Sequence, residues 1–407
     1  MSDDKINRLD ENQSGRRGRP ASVEELDDTL VCDWLHIAAD NTVTVFTGKT
    51  EVGQNIRTSL AQAVADELRL PLDAIHMVMA DTDLVPFDPG TFGSQTTPLM
   101  ASRLRKVAAT AREALVGMAA EHWHVERCEL SAADGAITHA PTGRTIRYGE
   151  LTQGQPLTQR FDDNAPVTPA TEWAVAGMSQ RKIDGYAMVT GAHQYTPDIA
   201  RPGMQYGKVL RPPTFGATLK SIDTSAAEAM PGVRVVRDGD FVGVVAPRRA
   251  RATEALNAIQ AEWNTTEQVS MRDLFGYLRE HPAPPVEPGQ RGGPQSFEQG
   301  ALEAGLDSAD HVLEHTYTHA YIAHAPLEPR AALAEWHDGK LTVWTGTQRP
   351  FGVRTELANI FGMPEEQIRV IVPDTGSGYG GKHTGEAAIE AARLARGAGV
   401  PVKLIWT

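Results

Sequence analysis

Residues 374–383 read DTGSGYGGKH, between an apolar run, IRVIV (368–372), and a helical pattern, EAAIEAARLARGAG (386–399). A strand, a glycine loop and a helix in this order aim backbone N–H groups and a helix N-terminus at one point, which favours an anion. The loop fits G-x-x-x-x-G-K through Gly376, Gly381 and Lys382, the start of a phosphate-binding P-loop. The hydroxyl that should follow to hold Mg²⁺ is replaced by His383. It also fits G-x-G-x-x-G through Gly376, Gly378 and Gly381, the dinucleotide fingerprint. The next strand-like run, PVKLIWT (401–407), lacks the acidic residue that this motif expects. A glycine turn that only tightens strand–helix packing is the third reading.

An internal repeat bears on the choice. Thr44-Val45-Phe46-Thr47-Gly48 answers Thr342-Val343-Trp344-Thr345-Gly346, Arg57-Thr58 answers Arg354-Thr355, and Ile75 to Asp81-Thr82 has the spacing of Ile368 to Asp374-Thr375. Each copy predicts strand, polar loop with a glutamine, helix, strand and Asp-Thr, followed by a glycine loop and another helix. Two such modules supply several N–H-rich loops, which suit one large, multiply charged ligand.

The remaining chain reads as follows. Residues 1–30 are polar and aperiodic and are expected to be a disordered tail, its RRGR cluster (16–19) included. Helices are expected on the apolar spacings Ile56, Leu60, Val64, Leu68 and Met100, Leu104, Val107, Ala111, Leu115, Met118. Residues 132–180 are loop-rich, with turns at Asp134-Gly135 and Thr142-Gly143. Short β runs then appear at 204–210, 217–222, 233–237 and 241–246, closed by a helix from about Arg249 to Trp263, as in a separate small α+β domain. Residues 281–295, HPAPPVEPGQRGGPQ, predict a linker or surface loop. HVLEHTYTHAYIAH (311–324) alternates like a strand, so His311, His315 and His319 are not expected to bind metal. Asp81, Asp83 and Asp88 miss the calcium-loop pattern and are expected to cap helices and turns.

Bulk composition narrows the function classes. With 39 basic and 52 acidic residues among 407, the formal charge of −13 disfavours nucleic-acid and anionic-membrane binding. No apolar run approaches the about 18 residues that span a bilayer, so a cytoplasmic location is expected. The two cysteines, Cys32 and Cys128, are far apart. They cannot form a zinc site or an iron–sulfur cluster and are expected to be buried and inert. Any electrons handled here must leave through another chain.

In combination, GKTEVGQNIRTSLAQAVADEL (48–68), DTDLVPFDPGTFGSQTT (81–97), HAPLEPRAALAEW (324–336), TGTQRPFGVR (345–354) and PDTGSGYGGKHTGEAAIEAARLA (373–395) carry a resemblance. They resemble the molybdopterin-binding subunits of the xanthine dehydrogenase and aldehyde oxidase family, isoquinoline 1-oxidoreductase and nicotinate dehydrogenase type. Residues 206–223 and 232–246 are similar to that family's small α/β hammerhead domain.

The resemblance implies a mixed α/β (α+β) fold of repeated strand–loop–helix–strand molybdopterin-binding modules with the hammerhead inserted. The expected boundaries are 31–180 for the first cofactor-binding region, 181–268 for the hammerhead, 269–300 for a linker and 301–407 for a second, incomplete cofactor-binding region. It implies molybdenum held by a pterin, often as the cytosine dinucleotide, with no protein metal ligand. Val52, Gly53 and Gln54 look like a loop on the cofactor's phosphate and pterin side, and Gly93, Ser94 and Thr96 like a second such loop. Ser377, Gly378 and Tyr379 look like the loop beside the metal, with the Tyr379 ring near substrate. Gln348 resembles the glutamine that hydrogen-bonds a molybdenum oxo ligand, a catalytic position; a loop-capping amide is the plainer alternative.

The implied reaction oxidises an aldehyde or N-heteroaromatic small molecule with water as oxygen source, a glutamate as base, and [2Fe–2S] clusters on a partner chain as electron exit. The segment with that glutamate lies beyond Thr407. The chain is therefore expected to be the first part of a split or truncated molybdenum subunit, inactive without the C-terminal half. A P-loop-like nucleotide-binding enzyme and a non-catalytic scaffold are the competing functions.

Overall fold

A strand whose faces are both buried needs a helix to return the chain parallel to it, and both copies of the repeat meet this need in the same way. In the computed structural model, which describes residues 29–284 and 299–406, β1 (Leu35–Ile37) runs antiparallel to β2 (Val43–Thr47). The helix α1 (Ile56–Leu68) then carries the chain to β3 (Ile75–Met79), parallel to β2 with Val43 opposite Ile75. Leu60, Val64 and Leu68 of α1 are buried, as their spacing predicts. Arg69, in the left-handed conformation, ends the helix ahead of Pro71. A single π turn (Thr96–Ala101) leads into the long helix α2 (Ser102–Trp123), which packs on α1.

The expected loop-rich stretch is partly ordered. Its two turns hold, with Asp134, Gly135 and Gly143 at positive φ, but they join strands of an antiparallel meander: β4 (Leu130–Ala133), β5 (Ala136–His139) and β6 (Arg144–Arg147). These strands are short and half-exposed, and so lack a long apolar run to signal them. Just after β6, a Cβ on Gly149 would lie against the carbonyl oxygens of Ala38 and Ala39. We expect Gly149→Ala to cost about 1–3 kcal/mol by forcing that backbone apart, read as a lower urea midpoint with unchanged slope.

A seven-stranded mixed sheet forms the rest of the core. Its members are β7 (Gln205–Val209), β8 (Arg234–Asp238), β9 (Phe241–Ala246), β10 (Ala331–His337), β11 (Lys340–Thr345), β12 (Ile368–Ile371) and β13 (Val402–Ile405), in the spatial order β12-β11-β10-β13-β7-β9-β8. The second copy of the repeat lies at one end. There β11 and β12 are parallel, joined by α4 (Pro350–Phe361); α3 (Arg249–Ala258) packs on β7 and β9. The run PVKLIWT supplies the buried centre of the sheet, between β10 and β7. Helix α5 (Glu386–Ala398) lies on this sheet with an alanine face and one large knob. Leu394 fits there because Gly207 and Gly243 have no Cβ, which would stand 2.5 and 2.7 Å from its methyl carbons.

Several expectations change. Strands β7, β8 and β9, expected in a separate domain, pair into the same sheet as residues 331–405. The helix expected to reach Trp263 ends at Ala258, because Ile259 is extended and Gln260–Asn264 continues as a strand. Cys32 is half-buried and Cys128 exposed, and neither is in a disulfide. Residues 311–324, which alternate like a strand, belong to no strand or helix. The RRGR cluster lies outside the described residues, as do nearly all of the tail and most of the Pro/Gly-rich stretch. Two compact units emerge. One takes the described residues up to Leu210, Asp223–Gln260 and those from His324 on. The other, Arg211–Ile222 and Ala261–Ala323, holds the strand pair Thr218–Asp223 and Gln260–Asn264 except for Asp223 and Gln260. No described helix is long and apolar enough to cross a membrane.

Candidate functional site

The Asp-Thr steps that end each repeat bring the modules together. Asp81 bridges to Ile371, Thr82 donates its N–H to the Val370 carbonyl (3.0 Å), and its hydroxyl accepts from Val370 N–H (2.9 Å). Arg369 holds Asp81 with two bonds, Nε to Oδ1 at 3.0 Å and Nη2 to Oδ2 at 2.8 Å. In the other direction Arg57, from the first module, reaches Asp374 of the second at 2.5 Å. Each Asp is thus clamped by an arginine of the other repeat, an arrangement with more geometric specificity than a single ion pair.

This union gathers the glycine loops around one cavity of about 890 Å³. Its wall includes every residue singled out from the sequence: Val52, Gly53 and Gln54; Gly93, Ser94 and Thr96; Ser377, Gly378 and Tyr379; and Gln348. Thr91, Phe92 and His383 line it as well. Ser94, Ser377 and Tyr379 hold positive φ (56°, 72° and 55°), a conformation that costs a non-glycine residue free energy and clusters at functional sites. Tyr379 keeps it while 71% exposed.

The loops are held by groups that the sequence reading did not anticipate. Buried Glu51 accepts N–H bonds from Gly53 (2.9 Å), Asn55 (3.0 Å) and Arg57 (3.0 Å), which places a carboxylate at the positive N-terminus of α1. Gln54 folds back on its own loop, accepting from Val52 N–H and donating to the Thr50 carbonyl. Of the three expected phosphate-side residues, Val52 and Gly53 therefore have their N–H groups engaged within the chain. The same logic governs residues 376–385. Glu328 accepts from Gly376 N–H at 2.9 Å, and Glu356 accepts from Gly385 N–H at 2.7 Å, at the start of α5. The anion that each glycine-and-helix geometry favours is in part the protein's own carboxylate.

Lys382 settles the P-loop reading. Its ammonium is buried, 2.8 Å from Glu328 Oε2. It points away from solvent and cannot reach a phosphate without breaking that pair. Lys49 is held likewise by Asp88 (2.8 Å) and the Gly90 carbonyl (2.6 Å) and fixes the second loop. Burial raises the Asp88 carboxyl above its ordinary range although Lys49 opposes the shift.

Gln348 joins the second and third loops. Its backbone N–H donates to the Lys382 carbonyl (2.8 Å) and its carbonyl accepts from Thr91 N–H (2.8 Å). Its Nε2 donates to the Thr91 carbonyl (2.8 Å), and its Oε1 accepts from Gly380 N–H (2.9 Å). The amide is 5% exposed and keeps one N–H proton without an acceptor among the described residues. The capping role is therefore real, and it leaves one donor over. Gly378 is required beside it, since a Cβ there would stand 2.6 Å from Oε1. The N–H groups of Gly93, Ser94, Gly378 and Tyr379 likewise have no acceptor among the described residues.

His383 enters the wall beside Phe92, ring centroids 5.4 Å apart, with Nε2 buried and unpaired. Desolvation first, then the nearby Arg349 and His324 charges, hold its pKa below the usual imidazole value. The unfolded chain therefore binds the proton more tightly. The stabilising contribution of neutral His383 is complete above about pH 6.5 and is lost as pH falls through the lower folded value. We expect His383→Asn to flatten the fall in stability on acidification below about pH 6.5, measured by denaturant unfolding across that range.

The donors that remain open, on three loops around a cavity of this size, suit a large ligand with many acceptor atoms. Among the described residues no carboxylate lines the cavity; its titratable side chains are Tyr379 and His383. Sequence reasoning missed Glu328 and Lys49 and gave Lys382 another partner, because these three pair with residues distant in sequence; the bonds of Glu51 are local, two to six residues away, and were missed too. Only the position of Glu51 and Lys382 next to glycine loops hinted at their roles.

Comparison with known proteins gives two family matches, both described as molybdopterin cofactor-binding domain, over residues 23–195 and 286–407. The chain is 32% identical to a nicotinate dehydrogenase polypeptide of Pseudomonas putida, over 96% of this chain and 33% of the relative. It is 29% identical to a membrane-bound aldehyde dehydrogenase of Gluconacetobacter polyoxogenes, named for pyrroloquinoline quinone, over 96% of this chain and 53% of the relative. It is 27% identical to the beta chain of isoquinoline 1-oxidoreductase from Brevundimonas diminuta, over 92% and 54%. The chain thus spans a third to about half the length of these relatives. Among solved structures, quinoline 2-oxidoreductase from Pseudomonas putida 86 aligns over 57% of this chain and 34% of its own, at 26% identity and a TM-score of 0.46.

Proposed function

The chain belongs to the xanthine dehydrogenase and aldehyde oxidase family of molybdopterin-binding subunits, and on that premise we propose that it forms part of the cofactor site of a molybdenum hydroxylase. The reaction is oxidation of an aldehyde or N-heteroaromatic compound with water as oxygen source. The observation that carries this reading is the single cavity onto which the three glycine loops and Gln348 all open.

The molybdenum–pterin group supplies the two-electron centre when bound. Gly93 and Ser94 offer N–H groups to its polar periphery, and Thr96 adds a hydroxyl. Gln54 keeps its own N–H for the same side. Gly378 and Tyr379 offer N–H groups next to Gln348, whose spare amide proton suits an oxo acceptor. The exposed Tyr379 ring and Phe92 offer faces for a planar heteroaromatic substrate. We assign the catalytic base to a carboxylate outside this cavity wall, in the C-terminal half of the molybdenum subunit, and electron exit to [2Fe–2S] centres on a partner chain. We assign residues 31–180 and 301–407 as the cofactor-facing regions, 181–268 as the hammerhead counterpart and 269–300 as their connection. We take the cofactor in its cytosine dinucleotide form and the location as cytoplasmic.

The test is to purify the tagged chain from the organism that makes it and to count metals. We expect an assembly with molybdenum and iron in fixed ratio to this chain, and no substrate oxidation by the chain alone. An assembly with neither metal, or with a quinone in place of molybdenum as one relative's name suggests, overturns the reading.

A further inference from the structure

The polar side of α1 holds residues 174–196, a segment whose only regular element is the short helix Gly185–Val189. Asp66 accepts the N–H groups of Ala174, Val175 and Ala176 (2.8, 3.0 and 2.6 Å), and Gln62 donates to the Val175 and Met178 carbonyls. One turn nearer the start of α1, Thr58 accepts from Ile183 N–H (3.1 Å) and Arg57 Nε meets Asp184 Oδ2 (2.9 Å). These side chains satisfy backbone groups that no helix or sheet ladder serves. After the short helix the chain turns at Gly191 (φ 73°), and His193 N–H returns to the Ala187 carbonyl at 3.0 Å. The imidazole is thereby delivered to the third glycine loop, with Nε2 3.2 Å from Asp374 Oδ2. Both atoms are buried, and neither makes a hydrogen bond elsewhere among the described residues.

We infer that His193 is a positioning residue: its Nε2–H holds Asp374 and, through Asp374, sets residues 375–380 against the cofactor. This rests on the function proposed above and adds a residue that lies outside the cavity wall. Charge gives the first reason. Arg57 serves two carboxylates, Asp374 Oδ1 at 2.5 Å and Asp184 Oδ2 at 2.9 Å, while Glu51 and Glu328 have their own lysines, Lys182 at 3.8 Å and Lys382 at 2.8 Å. The surplus around Asp374 is negative. Tyr195, whose ring stands 5.0 Å from that of His193, registers it: burial first, then the Asp374, Glu328, Glu51 and Asp198 charges hold its hydroxyl above the ordinary phenol value. A buried carboxylate oxygen needs a donor, and Nε2 is the atom placed to give one. Connectivity gives the second reason. Thr375 N–H donates to the Glu51 carbonyl (2.9 Å), Gly376 N–H to Glu328 and Gly380 N–H to Gln348. Gly378 and Tyr379 lie between these anchors, so a shift at Asp374 moves the N–H groups that face the cavity, and small misplacements of positioned groups have large effects.

Two variants test this, each in the assembly purified through a tag on this chain. His193→Leu removes the donor and keeps much of the bulk, whereas His193→Gln returns an amide N–H near the place of Nε2. In the leucine variant we expect residues 375–380 to exchange amide hydrogen at least about tenfold faster than in the wild type, with α2 unchanged. Molybdenum per chain should fall about tenfold or more, the effect of losing a hydrogen bond to a buried charge, while iron per chain stays constant. The glutamine variant should restore most of both. Unchanged exchange in the leucine variant overturns the proposal, as does full molybdenum content. Equal losses in the two variants overturn it too, since ring volume and not the N–H would then matter, and so does iron lost together with molybdenum. Faster, glutamine-rescued exchange in an assembly whose wild type holds no molybdenum keeps the positioning role and removes the functional reading. Molybdenum in the wild type with unchanged exchange in the leucine variant does the reverse.

Discussion

Glu328→Gln should lower the stability of the chain by about 3–5 kcal/mol, because it strands a buried cation. Lys382 is 1% exposed and has one carboxylate partner, Glu328 Oε2 at 2.8 Å. The same oxygen accepts the Gly376 N–H at 2.9 Å, so one atom fixes both ends of the loop 376–382. Glutamine preserves shape and an acceptor but removes the charge. Lys382→Met should cost a similar amount by leaving the carboxylate unpaired. The double variant should recover at least half of the summed loss, since replacing both members of a buried pair is often close to neutral. Urea unfolding of the four proteins gives the cycle. A loss below about 1 kcal/mol for Glu328→Gln would show that water reaches the pair, and the account of how this loop is held would fall.

The second large effect is expected at Gly378. Its φ is compatible with any residue, so Gly378→Val tests contact and not backbone strain. A Cβ there would lie 2.6 Å from Gln348 Oε1 and 3.0 Å from Cδ, so the amide must leave. It then loses its bonds to the Thr91 carbonyl and the Gly380 N–H, each worth about 0.5–1.5 kcal/mol, and the second and third loops part. We expect molybdenum per chain in the purified assembly to fall about tenfold or more, equivalent to about 1.4 kcal/mol. The thermal midpoint should drop by only a few degrees. Full molybdenum content in this variant would remove Gln348 as the organiser of the cavity.

The repeat was legible because hydrophobic period and spacing are local properties. Ile56, Leu60, Val64 and Leu68 announce a helix, and Val43–Thr47 and Ile75–Met79 announce strands, wherever the chain goes afterwards. The β4–β6 meander was not legible, since strands that are half-exposed carry no apolar run. The pairing of strands from residues 205–246 into the larger sheet was not legible for a related reason. Nothing within Gln205–Val209 states that Val402–Ile405, almost two hundred residues later, will pair with it in parallel.

The glycine loop at 374–383 shows the division most clearly. Its residues alone determined a tight turn at a helix N-terminus that favours negative charge, and the repeat determined that several such turns would act together. Which negative charge sits there was decided only by the tertiary structure. Glu328 and Glu356 are separated from the loop in sequence or lie on another element, yet they take up Gly376 and Gly385 N–H and, with Lys382, close off the phosphate reading. Hydrogen bonds and ion pairs act over a few ångströms in space without regard to sequence distance. For that reason the kind of loop was written locally, and the donors it has left to offer were settled by the fold.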